Sequence, residues 1–217
     1  MHVLIAAADY WGTQRACYTA EKLGCFFEKM GASVTKLIGA ELNVAVFMEK
    51  YKDILGHLEH AGERVIVVTI GHGNQFRDYN GDEPDGLDEG FQLPNGVILD
   101  DQMTECANAA VCHASSLFVL ISDHCSSGTM LDNAIAGKNW VNISSSLPYE
   151  DSLADGDGNV MITCLLEYLS HVDLKKLKVN ELQCGLIETM KNSFVGELQH
   201  PLVVVSHDGI YDMTVFV

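Results

Sequence analysis

The sequence predicts an α/β protein in which helices cover both faces of a mostly parallel central sheet. Short apolar runs rich in β-branched residues alternate with longer segments that have apolar residues at helical spacing. This alternation is typical of βαβ units, which pair parallel strands through right-handed crossovers. The 217 residues are enough for one domain that buries about 70% of its unfolded surface.

The elements follow one another in a regular order. The predicted strands lie at 2–8, 33–38, 64–70, 116–122, 140–144 and 202–206. The predicted helices lie at 16–31, 43–61, 102–113, 159–171 and 179–197, with a further helix beginning near Gly128. Pro148, Gly156 and Gly158 among acidic residues predict a loop at 145–158. We therefore expect a single domain, 1–217, with a core at 1–144 and a shorter part at 145–217 that completes the sheet.

Composition narrows the classes of function. The seven cysteines include no Cys-x-x-Cys pair, and no secretory signal begins the chain, so we expect reduced thiols in a cytoplasmic protein. The apolar runs are too short to cross a bilayer. A net charge of −17 disfavours nucleic acid and anionic membranes as partners and favours basic peptides or metal cations. Part of this charge is expected simply to aid solubility.

One apolar strand ends abruptly in reactive and small residues. The run at 118–122 is followed by Asp123, His124 and Cys125, and then by Ser126 and further turn residues. In an open α/β sheet, ligands bind beyond the carboxyl ends of the strands, where a thiol is presented to solvent. A cysteine after a strand is more often a small buried hydrophobe. The position alone therefore leaves open whether Cys125 is a nucleophile.

A second strand ends in the same manner. The run at 64–70 is followed by Gly71, His72 and Gly73. Neighbouring parallel strands lie about 4.8 Å apart, so pairing in register would bring His72 within reach of Cys125. A Gly-His-Gly sequence by itself usually marks a loop. At matched strand ends, however, the two residues predict a nucleophile and its base.

These residues, taken together, resemble those of a known family. The similarity is to the metacaspases, calcium-dependent cysteine peptidases of the caspase-like fold, here in a minimal single-domain form. The blocks that carry it are 71–73, the acidic run 78–101 and 123–128, and further landmarks lie at 9–13, 144–146 and 199–201. The resemblance implies a caspase-like three-layer sandwich and a thiol protease.

The resemblance also implies roles for the residues at the strand ends. Cys125 attacks the scissile carbonyl while His72 acts as acid and base. The backbone N–H groups of Gly73 and Cys125 stabilise the oxyanion. His124 is next to the nucleophile in sequence, but consecutive side chains of extended backbone point to opposite faces. We therefore expect His124 to pack in the interior.

Asp123 is the predicted substrate-binding residue. In metacaspases the acid at this position lines the pocket for the arginine or lysine before the cut bond, and a carboxylate pairs well with a guanidinium. The alternative is that Asp123 only caps the following turn. Two other pocket positions differ from the family, with Ala20 in place of an aspartate and Ile70 in place of a serine. We therefore expect weaker peptidase activity or an altered preference.

An acidic stretch predicts a cation site. Residues 78–101 include eight acidic side chains and no basic one. The resemblance implies that Asp88, Asp100, Asp101 and Asp132 bind Ca²⁺, a hard ion that prefers oxygen ligands. Calcium would then order the active-site loop. The alternative is that Asp100 and Asp101 merely cap the following helix.

The sequence thus predicts a monomeric, calcium-dependent cysteine endopeptidase that cleaves proteins or peptides after arginine or lysine. Self-cleavage is a further hypothesis, because Lys175, Lys176 and Lys178 lie in a polar connection between two helices. Two alternatives stay open. The losses at Ala20 and Ile70 would suit a weak or inactive calcium-binding regulatory module. A nucleotide-binding α/β domain is disfavoured because no glycine-rich phosphate loop follows the first strand.

Overall fold

The computed structural model describes residues 1–9, 14–81, 83, 85–131, 135, 137–156 and 158–217. Within these residues the strands are β1 (His2–Ala7), β2 (Ser33–Ile38), β3 (Arg64–Ile70), β4 (His72–Arg77), β5 (Leu87–Leu93), β6 (Gly96–Leu99), β7 (Leu117–Asp123), β8 (Trp140–Ser144), β9 (Ala154–Asp155), β10 (Gly158–Asn159) and β11 (Leu202–Val205). The helices are α1 (Arg15–Lys29), α2 (Val44–Leu55), α3 (Asp100–Ala109), α4 (Val160–Leu169) and α5 (Val179–Lys191).

Six strands form the central sheet, in the order β11-β8-β7-β3-β1-β2. All neighbours pair in parallel except β11, which runs antiparallel to β8 and completes the sheet from the C-terminal part of the chain. The strands β3 and β7 are buried along their whole length. This explains their continuous apolar sequences, since a parallel strand covered on both faces needs no polar side.

Alternate residues of the sheet enter two separate hydrophobic clusters. Val3, Ile5 and Ala7 of β1 pack with apolar residues of α1, α4 and α5. Leu4 and Ala6 face the other way and pack with α2 and α3. The predicted α/β architecture, with helices on both faces of a mostly parallel sheet, is therefore confirmed.

The acidic region contains structure that the sequence analysis did not predict. The strands β4, β5 and β6 form a separate antiparallel sheet in chain order. The sequence pattern does not mark these strands, because they contain many charged and turn-forming residues. Only Phe91, Leu93 and Ile98 of these strands supply fully or nearly buried apolar side chains. A short pairing of β9 with β10 likewise lies in the segment predicted as a loop.

The helix predicted to begin near Gly128 is not seen in the described residues of that region. Residues 128–131 and 137–138 form turns and bends, and 132–134 and 136 lie outside the described residues. Glycine, threonine, aspartate and asparagine in this segment have low helix propensity. Across the described part of the chain, no helix combines the length and apolar character needed to cross a membrane.

Candidate active site

The predicted dyad residues follow two neighbouring strands of the central sheet. β3 and β7 pair with Ile70 opposite Asp123, and the Gly71 N–H then donates to the Asp123 carbonyl at 3.2 Å. His72 and Cys125 come two residues after this last pair. Both line one cavity of about 240 Å³ at the carboxyl edge of the sheet. The structure thus brings together the two residues that the sequence singled out.

Gly73 allows the backbone of β4 to lie directly against Cys125. A β-carbon at this position would overlap the Cys125 carbonyl oxygen and Nδ1 of His124. Gly71 is also constrained. Its φ is +152°, and a β-carbon at this position would lie only 2.6 Å from the Ala8 carbonyl oxygen, which is too close for two atoms that are not bonded. The Gly-His-Gly sequence is therefore required by close packing around His72 as well as by the turn between two sheets.

His124 lies in the interior, as predicted. Its ring is fully buried and stacks on Phe91 with 5.4 Å between ring centroids. Nδ1 lies 3.1 Å from the Cys125 carbonyl oxygen. Burial lowers the pKa of His124 to about 4, so the ring is neutral at physiological pH. The His124 side chain thus contacts and supports the backbone of Cys125.

The Cys125 thiol lies against the segment that follows β8. The Ser152 N–H donates to Sγ at 3.3 Å, and Sγ lies 3.9 Å from the Ser152 carbonyl oxygen. Burial raises the pKa of the Cys125 thiol. A thiol in this setting stays protonated near neutral pH, so nucleophilic attack needs a base such as His72.

Buried hydroxyl groups hold the nucleophile segment in place. The His124 carbonyl oxygen accepts hydrogen bonds from the hydroxyls of Ser145 and Ser146, each at 3.2 Å. Ser126 has a φ of +51°, the left-handed conformation that serine rarely adopts. This turn takes the chain away from the sheet directly after Cys125. Sequence reasoning noted the serines only as landmarks, and their role could not be read without the position of the His124 carbonyl.

Asp123 is fully buried and already hydrogen-bonded. One carboxylate oxygen accepts from the Ser152 hydroxyl at 2.7 Å, and the other accepts from the Ile162 N–H at 3.1 Å. Burial raises the pKa of this carboxyl group, while these donors oppose the shift. Asp123 is absent from the described lining of the cavity beside His72 and Cys125. A basic substrate side chain would therefore reach it only if Ser152 moved away.

The two departures from the family's pocket are both interior residues. The side chains of Ala20 and Ile70 are completely buried, in the hydrophobic cluster beneath α1. Neither can offer a polar group to a substrate. The charged residues that do line the cavity are Asp9 and Arg15, together with the titratable His72 and Cys125. Residues 10–13, the rest of the landmark at 9–13, lie outside the described part of the chain.

A cluster of carboxylates lies between the small antiparallel sheet and α3. Glu83, Glu89 and Asp100 bring their carboxylate oxygens within 4.8 Å of one another. Asp88, Glu89 and Asp100 are all buried. Burial, together with the charges of Glu89 and Asp88, raises the pKa of Asp100 to about 8. Glu83 and Glu89 were not predicted as ligands, because the resemblance points to the neighbouring aspartates.

The four predicted calcium ligands differ in their positions. Asp100 belongs to this cluster, and Asp88 is close enough for its charge to act on Asp100. Both carboxylate oxygens of Asp101 instead accept from Nδ2 of Asn80 at 2.9 Å. Asp132 lies outside the described residues.

The cluster has the chemistry of a site for a hard cation. Neither Glu89 nor Asp100 has a basic ion-pair partner among the described residues, although both are buried. Buried carboxylates are stable when a cation or a proton neutralises them. Oxygen-only donors favour Ca²⁺ over softer metals. The residues present therefore fit calcium.

The cluster is connected to the nucleophile segment. The Thr129 hydroxyl donates a short hydrogen bond to Oε2 of Glu89, and Nε2 of Gln75 donates to Oε1 at 3.1 Å. Thr129 lies four residues after Cys125, and Gln75 lies on the same strand as His72. Glu89 therefore contacts both of the segments that carry the candidate catalytic residues.

Comparison with curated proteins gives three matches from Arabidopsis thaliana. Metacaspase-3 is 42% identical over 76 residues, Metacaspase-1 is 39% identical over 77 and Metacaspase-2 is 37% identical over 76. Each alignment covers 33% of this chain and between 18% and 21% of the plant protein. The matched region is thus about a fifth of each relative's length. No protein-family model matches the chain.

Comparison with solved structures finds the same fold over the whole chain. A crystal structure of a protein from Geobacter sulfurreducens superposes with a TM-score of 0.76, covering 100% of this chain and 98% of the other. The sequences are 18% identical, so this likeness concerns the fold alone. Together with the plant matches, it bears out the predicted resemblance: a third of the chain is similar in sequence to plant metacaspases, and the whole chain has a caspase-like α/β fold.

Proposed function

We propose that this protein is a calcium-activated cysteine endopeptidase that cleaves after arginine or lysine. The observation that carries the proposal is the position of His72 and Cys125 beside one cavity, at the carboxyl ends of adjacent parallel strands. Ligands of open α/β sheets bind at this edge. The similarity to plant metacaspases over a third of the chain favours peptide hydrolysis among the reactions that a cysteine and a histidine can perform.

In the proposed reaction, His72 removes the thiol proton and the Cys125 sulfur attacks the scissile carbonyl carbon. The N–H groups of Gly73 and Cys125 donate to the oxyanion of the tetrahedral intermediate. His72 then protonates the leaving amine, and the acyl group remains on the sulfur. A water molecule, deprotonated by His72, attacks this thioester and releases the carboxylic acid with the thiol restored.

Calcium is assigned to the carboxylate cluster. Glu83, Asp88, Glu89 and Asp100 would hold the ion. The resemblance adds Asp101 and Asp132 to this set. The ion supplies neutralising charge, not chemistry at the substrate. Neutralisation would remove the repulsion among the buried carboxylates and fix Glu89, the residue that contacts both catalytic segments.

The preference for a basic residue is supported by the acidity of the chain, whose net charge is −17. The same preference makes self-cleavage chemically reasonable. Lys175 and Lys176 are exposed in the connection between α4 and α5, with Lys176 only 3.7 Å from the carboxylate of Asp173. Lys178 is less exposed, precedes α5 and pairs with Asp212 at 3.0 Å. If self-cleavage occurs, we expect it after Lys175 or Lys176.

The deciding experiment is hydrolysis of a fluorogenic peptide that ends in arginine, with and without millimolar calcium. We expect calcium-dependent hydrolysis that Cys125→Ala and His72→Ala abolish. Cys184→Ala removes an exposed thiol elsewhere and is the matched control, which should keep full activity. Activity that survives Cys125→Ala would disprove the assignment of the nucleophile.

A second function is favoured by the interior positions of Ala20 and Ile70 and by the covered carboxylate of Asp123. The protein would then be a calcium-binding module with a silent dyad. In both cases calcium should raise the melting temperature, and Glu89→Gln should remove that increase. Glu105→Gln, an exposed glutamate of α3, is the control. The silent module is distinguished by calcium binding without any reaction of Cys125 with iodoacetamide.

A further inference from the structure

Asp9 lies at the same level of the sheet edge as the candidate dyad. β1 pairs with β3 so that Ala7 lies opposite Ile70, and the Ala8 N–H continues the pattern by donating to the Ile70 carbonyl at 2.9 Å. β3 pairs with β7 so that Ile70 lies opposite Asp123. Two residues further along each strand are Asp9, His72 and Cys125. These three residues therefore follow three adjacent strands in order.

The spacing suits a long substrate side chain. Adjacent strands lie about 4.8 Å apart, so Asp9 and Cys125, separated by one intervening strand, lie about 10 Å apart at the backbone. An arginine or lysine side chain whose carbonyl is attacked by Cys125 can bridge such a gap towards a carboxylate. Asp9 also lines the same cavity as His72 and Cys125.

The Asp9 carboxylate is held in a fixed position. Its two oxygens accept hydrogen bonds from the N–H groups of Ala16 and Cys17, each at 2.9 Å, in the first turn of α1. A carboxylate oxygen can accept more than one hydrogen bond, and the group keeps its negative charge when it does, so Asp9 can attract a guanidinium or ammonium group. A charged acceptor that is already oriented binds without the cost of ordering a flexible side chain.

The family's expected acceptor is less accessible. Asp123 lies two residues before Cys125, deeper in the sheet, and is fully buried beneath the Ser152 hydroxyl. The other family acid is replaced by Ala20, which is also fully buried. Asp9 is thus the described carboxylate that combines access to the cavity with a position beside the dyad.

We infer that Asp9 is the specificity-determining carboxylate, which receives the basic side chain preceding the scissile bond. This inference rests on the peptidase and specificity proposed above and names the residue responsible. In this interpretation Asp123 holds the Ser152 segment in place and does not contact the substrate. Arg15, the other charged residue of the cavity, is exposed, and its guanidinium reaches the Ala154 carbonyl oxygen at 3.5 Å on the side of that segment.

The test compares two peptides that differ only before the cut bond, where one has arginine and the other has its uncharged analogue citrulline. The ratio of their kcat/KM values does not depend on how much of a variant is folded, so a weakened α1 does not obscure the result. The ratio is measured for the wild type, Asp9→Asn, Asp123→Asn and Arg15→Gln. Asp53→Asn removes an exposed carboxylate of α2 and serves as the charge-matched control.

We expect Asp9→Asn to lower the arginine-to-citrulline ratio by about tenfold or more, the size of one charge-assisted hydrogen bond. Asp53→Asn should leave the ratio unchanged, and Arg15→Gln should keep or raise it. The inference would be overturned if Asp9→Asn kept the wild-type ratio. It would also be overturned if the ratio fell only in Asp123→Asn. If the wild type instead preferred peptides with aspartate before the cut bond, and Arg15→Gln removed that preference, both this inference and the proposed specificity would be wrong.

Binding of the same peptides to the Cys125→Ala protein separates the two proposals. If the wild type shows no turnover but the arginine peptide binds more tightly, and Asp9→Asn removes the difference, the peptidase proposal fails and the role of Asp9 stands. Equal binding of the two peptides to Cys125→Ala, whether or not the wild type turns over, would refute the role of Asp9.

Discussion

Replacing Gly73 by alanine tests whether close packing sets the distance between base and nucleophile. The added β-carbon would overlap the Cys125 carbonyl oxygen and the buried ring of His124. Restoring ordinary contact requires a shift of about 1 Å, and neither neighbour is a flexible side chain that can give way. A misplacement of about 1 Å costs on the order of 100-fold in rate. We therefore expect kcat/KM to fall about 100-fold, with a loss of stability of about 1–3 kcal/mol from overpacking.

The assay measures kcat/KM for the arginine peptide together with the pH dependence of Cys125 alkylation. Alkylation reports the contact between base and thiol even if turnover is slow. Gly56→Ala is the matched control, since that glycine has a φ of −58° and no atom within 4 Å of an added β-carbon. It should leave both measurements unchanged.

A Gly73→Ala protein with an intact fold and kcat/KM within about threefold of the wild type would refute the reasoning. In that case β4 could retreat from Cys125 without consequence. The close approach of the two segments would then be a packing detail, and the dyad would tolerate a range of separations.

Two further predictions concern the buried groups around the nucleophile. The folded protein protonates His124 only near pH 4, whereas the unfolded chain does so near 6.5, so stability is lost as the pH falls through this interval, by about 3 kcal/mol in total. His124→Phe should remove this component from urea unfolding measured between pH 7 and pH 4, and an unchanged pH dependence would contradict the assignment. Ser152→Ala removes a donor from the buried Asp123 carboxylate, so we expect a loss of about 1–3 kcal/mol in the free energy of unfolding. Ser170→Ala, at an exposed helix end, should cost much less, and equal losses would argue against the Asp123 contact.

The central sheet could be predicted because its strands are short runs rich in apolar and β-branched residues. The bounds of β2, β3 and β8 agree with the predicted ranges. Those of β1 and β11 differ by one residue at one end, and β7 is shifted by one residue at both ends. The small sheet could not be predicted in this way. Its strands take few apolar residues from the sequence and depend on contacts with the rest of the fold, so neither periodicity nor propensity marks them.

The positions of the dyad residues followed from one simple rule, that parallel strands in register end together. The same rule, applied to β1, would have placed Asp9 beside His72. The sequence gives no sign that Ser152 covers Asp123, because the two residues are joined only by the path of the chain after β8. Nor does it show that Glu83 and Glu89 join Asp100, since that contact depends on the unpredicted pairing of β4, β5 and β6.

Ile70 is the last residue of β3 in the central sheet, and His72 is the first residue of β4 in the small sheet, so Gly71 alone separates them. Cys125, the proposed nucleophile, is therefore anchored in one structural unit, and His72, its proposed base, in another. Such units can open separately, at free energies below that of global unfolding. Heating can thus move His72 away from Cys125 while the central sheet and its helices stay folded. Thermal inactivation is then expected to precede the main unfolding transition, and calcium should bring the two temperatures together.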